Sequence, residues 1–151
     1  MYEQILIPTD GSPLSEAAIK QGVALAKVLH ASITGVSVMP PFHVMAMGHR
    51  MAVEPMIITE TPADWDKACR ALAESHLAVI RETAKAEGVP CETVQAVDDN
   101  PYHAIIETAK SRGCDLIFMA SHGRRGLAAF VLGSETTKVL THSKIPVLVC
   151  R

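Results

Sequence analysis

At 151 residues, 48% hydrophobic and 20% charged, the chain has a globular composition and enough length to bury a core without disulfide or metal staples. A formal net charge of -2 gives no reason to expect nucleic acid or an anionic membrane as a bulk partner. No apolar run reaches the ~20 residues that span a bilayer, and the start of the chain lacks the basic and apolar pattern of a secretion signal, so a cytoplasmic protein is expected.

Glu3 to Pro8 is a short apolar run closed by Thr9-Asp10-Gly11-Ser12, the pattern of a buried first strand followed by a turn. Ser12 followed by Pro13 starts a helix whose small apolar residues include Ala17, Ala18, Val23, Ala24, Ala26, Val28 and Leu29. Ser32 to Val38 alternates polar and apolar residues as a second strand. A strand, helix and strand in so short a span imply parallel, right-handed pairing.

Between Met39 and Thr61 the pattern fails, interrupted by Pro40, Pro41, Gly48 and Pro55 and rich in methionine. Such a loop suggests a lid, a binding segment or partial disorder. His43 to Met51 also reads as a soft-metal site, against which stands adaptable apolar packing by methionine. Pro62 to about Glu87 is a long helix ended by Gly88, and Glu92 to Val97 is the third strand. Asp98-Asp99-Asn100-Pro101 is a turn, with Mg²⁺ ligation as the competing reading of its two carboxylates. Tyr102 to Arg112 is the third helix, Asp115 to Ala120 the fourth strand, Ser134 to His142 the fourth helix and Pro146 to Cys150 the fifth strand. Five strands alternating with four helices within one domain over residues 1–151 predict a doubly wound α/β sheet. Cys69, Cys91, Cys114 and Cys150 form no CxxC pair and are expected to be free, mostly buried thiols.

The segment from Ala120 to Ser134 joins an apolar strand to a helix through a glycine-containing loop, the organisation that brings backbone N–H groups and a helix N-terminus to an anion. Arg124 and Arg125 lie in this loop as phosphate donors or as solvated surface. His122 is a phosphate contact or a base, but no Ser, Cys or acid can be paired with it from spacing. His103 reads as packing or solvent-facing. In this fold class ligands lie beyond the carboxyl ends of the strands where strand order reverses. There Asp10 either binds a ribose hydroxyl or an ion, or bonds its own turn.

These residues resemble the universal stress protein family over nearly the whole chain. Gly123, nine residues, Gly133 and Ser134 match three of the four fixed positions of the family's nucleotide-binding pattern, with Ala120 where the first glycine stands. Ile7-Pro8-Thr9-Asp10-Gly11-Ser12 and Ile145-Pro146-Val147-Leu148-Val149 are similar to its first-strand turn and closing strand. The resemblance implies a five-stranded parallel sheet of order 3-2-1-4-5 with helices on both faces, a homodimer through the C-terminal strand, and a role in stress survival. It implies ATP or AMP, with or without Mg²⁺, held by Pro8, Thr9, Asp10, Val38, Ala120, Ser121, His122, Gly123, Arg124, Gly133 and Ser134. Asp10 and Val38 would flank ribose and adenine, and Gly123, Gly133 and Ser134 the phosphates. At Ala120 the added methyl matters only where the backbone needs positive φ or touches the ligand. Gly133-Ser134 also reads as a plain helix start with Ser as cap. The alternatives are a dimeric stress-linked interaction protein that binds no nucleotide and a slow ATPase. The Ser-Gly-Gly-x-Asp-Ser turn of the ATP pyrophosphatases of this general fold is absent from the sequence.

Overall fold

Ile5, Leu6 and Ile7 are fully buried, and their alternation along one strand sends side chains into two separate cores. This strand, β1 (Gln4–Pro8), is the centre of a computed structural model that describes residues 1–42, 61–123 and 132–151. The remaining strands are β2 (Ser32–Met39), β3 (Cys91–Val97), β4 (Leu116–Ala120) and β5 (Val147–Cys150). All pair in parallel in the order β3-β2-β1-β4-β5, the order that the family resemblance implies. Helices α1 (Pro13–Leu29), α2 (Pro62–Ala86), α3 (Pro101–Ser111) and α4 (Ser134–His142) connect them.

On one face α1 and α2 supply Ala18, Ile19, Val23, Leu77 and Ile80 against Ile5, Ile7, Ile33, Leu116 and Phe118. On the other, Ile105, Ile106 and Ala109 of α3 and Val139 of α4 cover Leu6, Val36, Ile117 and Met119. Full burial of each such aliphatic side chain contributes about 1.5–3 kcal/mol, so the central strands are fixed by packing on both sides. A smaller cluster of Met39, Trp65, Cys69 and Ala73 joins the end of β2 to the start of α2.

Local chemistry sets the boundaries. Ser12 caps α1, its side chain accepting from the Ser15 N–H at 3.2 Å, with Pro13 in the first helical position. β1 begins one residue later than its apolar pattern suggests, and the Glu3 N–H just before it donates to Asp115 Oδ2 at 2.9 Å. The Gln4 N–H donates to Asp115 Oδ1 at 3.1 Å, and β4 begins one residue after Asp115, at Leu116. Of the four cysteines, expected to be mostly buried thiols, Cys69 and Cys114 are buried, whereas Cys91 and Cys150 are half-buried on edge strands. The candidate soft-metal segment His43 to Met51 and most of the Met39 to Thr61 loop lie outside the described residues. Among the described residues no helix is long and apolar enough to cross a membrane.

Candidate functional site

Strand order reverses between β1 and β4, so their exit loops bound a crevice at the carboxyl edge of the sheet. Pro8 ends β1 in register with Val36, and the next residue, Thr9, donates its N–H to the Val36 carbonyl at 2.9 Å. Thr9 is buried and its hydroxyl lies 3.2 Å from that of Ser15, which ties the turn to α1. The Ser12 N–H donates to Asp10 Oδ1 at 3.0 Å, so Asp10 does bond its own turn.

The other carboxylate oxygen faces the second loop. A β-carbon at position 123 would lie 2.5 Å from Asp10 Oδ2, so the carboxylate fits against the loop only because residue 123 is glycine. The structure therefore brings together two candidate site residues that the sequence holds far apart. The β4 loop itself is anchored to β5 and α4. Ser121 N–H donates to the Cys150 carbonyl at 2.8 Å, and Gly133 N–H donates to the Ser121 carbonyl at 2.8 Å.

Ala120 closes β4 with its methyl in the core shared by α1 and α2. Positive φ at non-glycine positions occurs only at His30 among the described residues, so Ala120 needs no glycine conformation. Its carbonyl accepts from the buried Thr136 hydroxyl at 3.1 Å, a contact that seats α4 on the end of β4. Sequence reading misses Thr136, whose position in the first turn of α4 is the only available signal.

Two expectations are corrected. Ser134 is not the cap of α4: Gly133 is, in extended conformation and without a side-chain capping bond, and Ser134 is the first helical residue. The N-terminus of α4 thus carries no side chain that competes with an anion for its N–H groups. Second, His122 does have a serine partner, since its Nδ1 lies 3.1 Å from Ser121 Oγ. Spacing hides this because the two are neighbours whose side chains turn toward each other at the strand end. Ser121 is only 2% exposed, which withholds its hydroxyl from an incoming substrate.

Val38 lies near the carboxyl end of β2, in register with Ala96 and packed against the core under α3 and α4. Arg124 and Arg125 lie outside the described residues. Asp98 and His103 are engaged elsewhere: His103 Nδ1 meets Asp98 Oδ2 at 2.7 Å, and Asp98 Oδ1 accepts the Asn100 N–H at 2.8 Å. The His103 hydrogen bond, then the Asn100 N–H, hold the Asp98 carboxyl below its ordinary value. Asp98 is therefore a turn residue, and His103 pairs with it rather than simply packing.

A groove of about 680 Å³ opens at the opposite, amino edge of the sheet, lined by Glu3, Gln4, His30, Arg112 and Asp115 among others. Two of its charged groups are engaged within the protein, Asp115 with the β1 backbone and Arg112 with Glu92 at 3.3 Å. The carboxyl-edge crevice carries the better case, because there a carboxylate, a close backbone approach and a helix N-terminus converge.

Comparison with known proteins agrees with this fold. The model of the Universal stress protein family matches residues 1–151. Universal stress protein YxiE of Bacillus subtilis is 29% identical over 100% of both chains. The solved structure of protein MJ0577, a universal stress protein of Methanocaldococcus jannaschii, superposes with a TM-score of 0.79 at 26% identity, covering 99% of this chain and 95% of that one. A universal stress protein solved in complex with cAMP shares the fold, with a TM-score of 0.70 at 24% identity over 99% of this chain and 97% of the other.

Proposed function

The chain belongs to the universal stress protein family, and from that premise we propose that it is a cytoplasmic regulatory protein that binds an adenine nucleotide, ATP or AMP, at the β1–β4 crevice. The observation that carries this reading is the seating of Asp10 against Gly123 across the switch point. In it Asp10, with Pro8 and Thr9 preceding it and Val38 near the carboxyl end of β2, receives the ribose and base. The backbone around Ala120, Ser121, His122 and Gly123 lines the sugar and phosphates. Gly133 and Ser134 present the α4 N-terminus to the phosphates, where the helix dipole favours negative charge. Arg124 is assigned to the phosphates from its place in the loop, and Mg²⁺ would travel with ATP, most of its ligands being phosphate and water.

Support comes also from Ala120. Its methyl lies in the core and its backbone is part of β4, so the departure from the family's first glycine leaves the crevice unobstructed. The relative with bound cAMP supports the capacity of this fold to hold an adenine nucleotide. Regulation without turnover fits the burial of Ser121 beside His122. Binding would act through the dimer formed by β5, whose last carbonyl holds the Ser121 N–H.

The test is calorimetry with millimolar ATP and Mg²⁺, joined to heat release and chromatography of ligand from freshly purified protein. Heat of binding or co-purified adenine nucleotide is the expected result. Neither appearing leaves the alternative, a dimeric interaction protein that binds no nucleotide.

A further inference from the structure

Gly11 adopts φ +73°, and its side-chain position is taken by a residue from another element. A β-carbon at position 11 would lie 2.3 Å from both Cδ2 and Nε2 of His76 and 3.1 Å from its Cε1. The imidazole edge of α2 therefore fills the volume that a side chain of the β1–α1 turn would occupy. The ring is held in place from below: Leu77 and Ile80, the neighbours of His76 on α2, are buried in the core that contains Ile5 and Ile7. His76 itself is half-buried.

The turn is thus held on two sides. His76 stands against Gly11, and Gly123 stands against the carboxylate of the preceding residue, Asp10. Within the turn the Gly11 N–H donates to Thr9 Oγ1 at 3.2 Å and the Ser12 N–H to Asp10 Oδ1 at 3.0 Å. These bonds shape the turn and Thr9 ties it to β2 and α1, while His76 and Gly123 abut it from outside. Resting on the nucleotide-binding reading above, we propose that His76 is a positioning residue of the nucleotide site. Its Nε2 edge, delivered by α2, braces the Asp10–Ser12 turn so that the Asp10 carboxylate stays against Gly123. Through this contact a bound nucleotide is coupled to α2, an element that supplies none of the family-pattern residues.

Glutamine places an amide nitrogen near the position of Nε2, whereas asparagine reaches only that of Nδ1. The experiment measures ATP affinity by calorimetry for the wild type, His76→Ala, His76→Gln and His76→Asn, with thermal unfolding of each. A wild type that binds ATP, an alanine variant weakened at least fivefold, and recovery to within twofold by glutamine but not by asparagine are expected. The His76 imidazole resonances of the wild-type protein should also shift on ATP addition. Equal affinity in all four proteins overturns the positioning role, as does equal weakening by glutamine and asparagine, which marks simple crowding. An alanine variant that fails to fold leaves the glutamine and asparagine pair and the wild-type resonances to decide. A wild type that binds no adenine nucleotide removes the function reading itself, before any variant is compared.

Discussion

Asp10 Oδ2 sits 2.5 Å from the place that a β-carbon on residue 123 would take. Two loops from opposite halves of a doubly wound sheet meet in this one contact, and the proposed nucleotide site is built around it.

Gly123→Ala tests that contact directly. The added methyl must displace Asp10, and Asp10 cannot swing away without losing the bond from Oδ1 to the Ser12 N–H. Loss of ATP affinity by about tenfold or more is expected, equivalent to about 1.4 kcal/mol. Residue 123 is exposed, so the stability loss should be limited to that one turn bond, about 0.5–1.5 kcal/mol. Calorimetry beside urea denaturation separates the two effects. Full affinity in the alanine variant contradicts the site.

Ala120→Gly asks the opposite question. Restoring the family glycine removes a methyl from the core and introduces glycine into a strand, at a stability cost of about 0.5–1 kcal/mol. Because that methyl points away from the crevice, nucleotide affinity should stay unchanged. A substantial gain in affinity would mean that the alanine obstructs the ligand after all.

The elements were legible because each has local punctuation: Ser12-Pro13 for the start of α1, Gly113 before β4, apolar runs for the buried strands. Asp10 and Gly123 are legible as candidate site residues through the resemblance of the first-strand turn and the glycine pattern, yet their contact is not, since it depends on which strands lie side by side. The same holds for His76 and Thr136. Each reaches the site from a helix whose placement is set by packing elsewhere, Leu77 and Ile80 in one case and Val139 in the other. The α4 cap differs from the sequence expectation for a local reason: glycine is also accepted at a cap, though less favoured than serine, and sequence alone does not say which residue starts the turn.

Ionisation of the cysteines gives a pH prediction. Burial, the largest cause at each, pushes Cys91, Cys114 and Cys150 above their ordinary thiol value of 9.0. Near and above that pH the unfolded chain loses thiol protons that the folded chain keeps, so stability falls as pH rises through the window. Below it both states hold these protons and the thiols contribute no pH dependence. Ultraviolet thiolate absorbance should appear at higher pH in native protein than in urea-unfolded protein, with the urea midpoint declining over the same range. Coincident titration curves contradict the prediction.

The free edge of β5 gives the last prediction. β5 pairs with β4 on one side and ends the sheet on the other, and Leu148 on it is 39% exposed. An exposed edge of apolar β-branched sequence invites pairing with another strand. A second copy of β5 satisfies the edge and covers Leu148, in line with the proposed homodimer. Lysine on an edge strand opposes such pairing by placing charge where two copies would meet, so Leu148→Lys should convert the dimer to a folded monomer at micromolar concentration. Light scattering reads the mass, and circular dichroism confirms that the monomer keeps its helices. A monomeric wild type, or a lysine variant that remains dimeric, excludes β5 as the dimer contact.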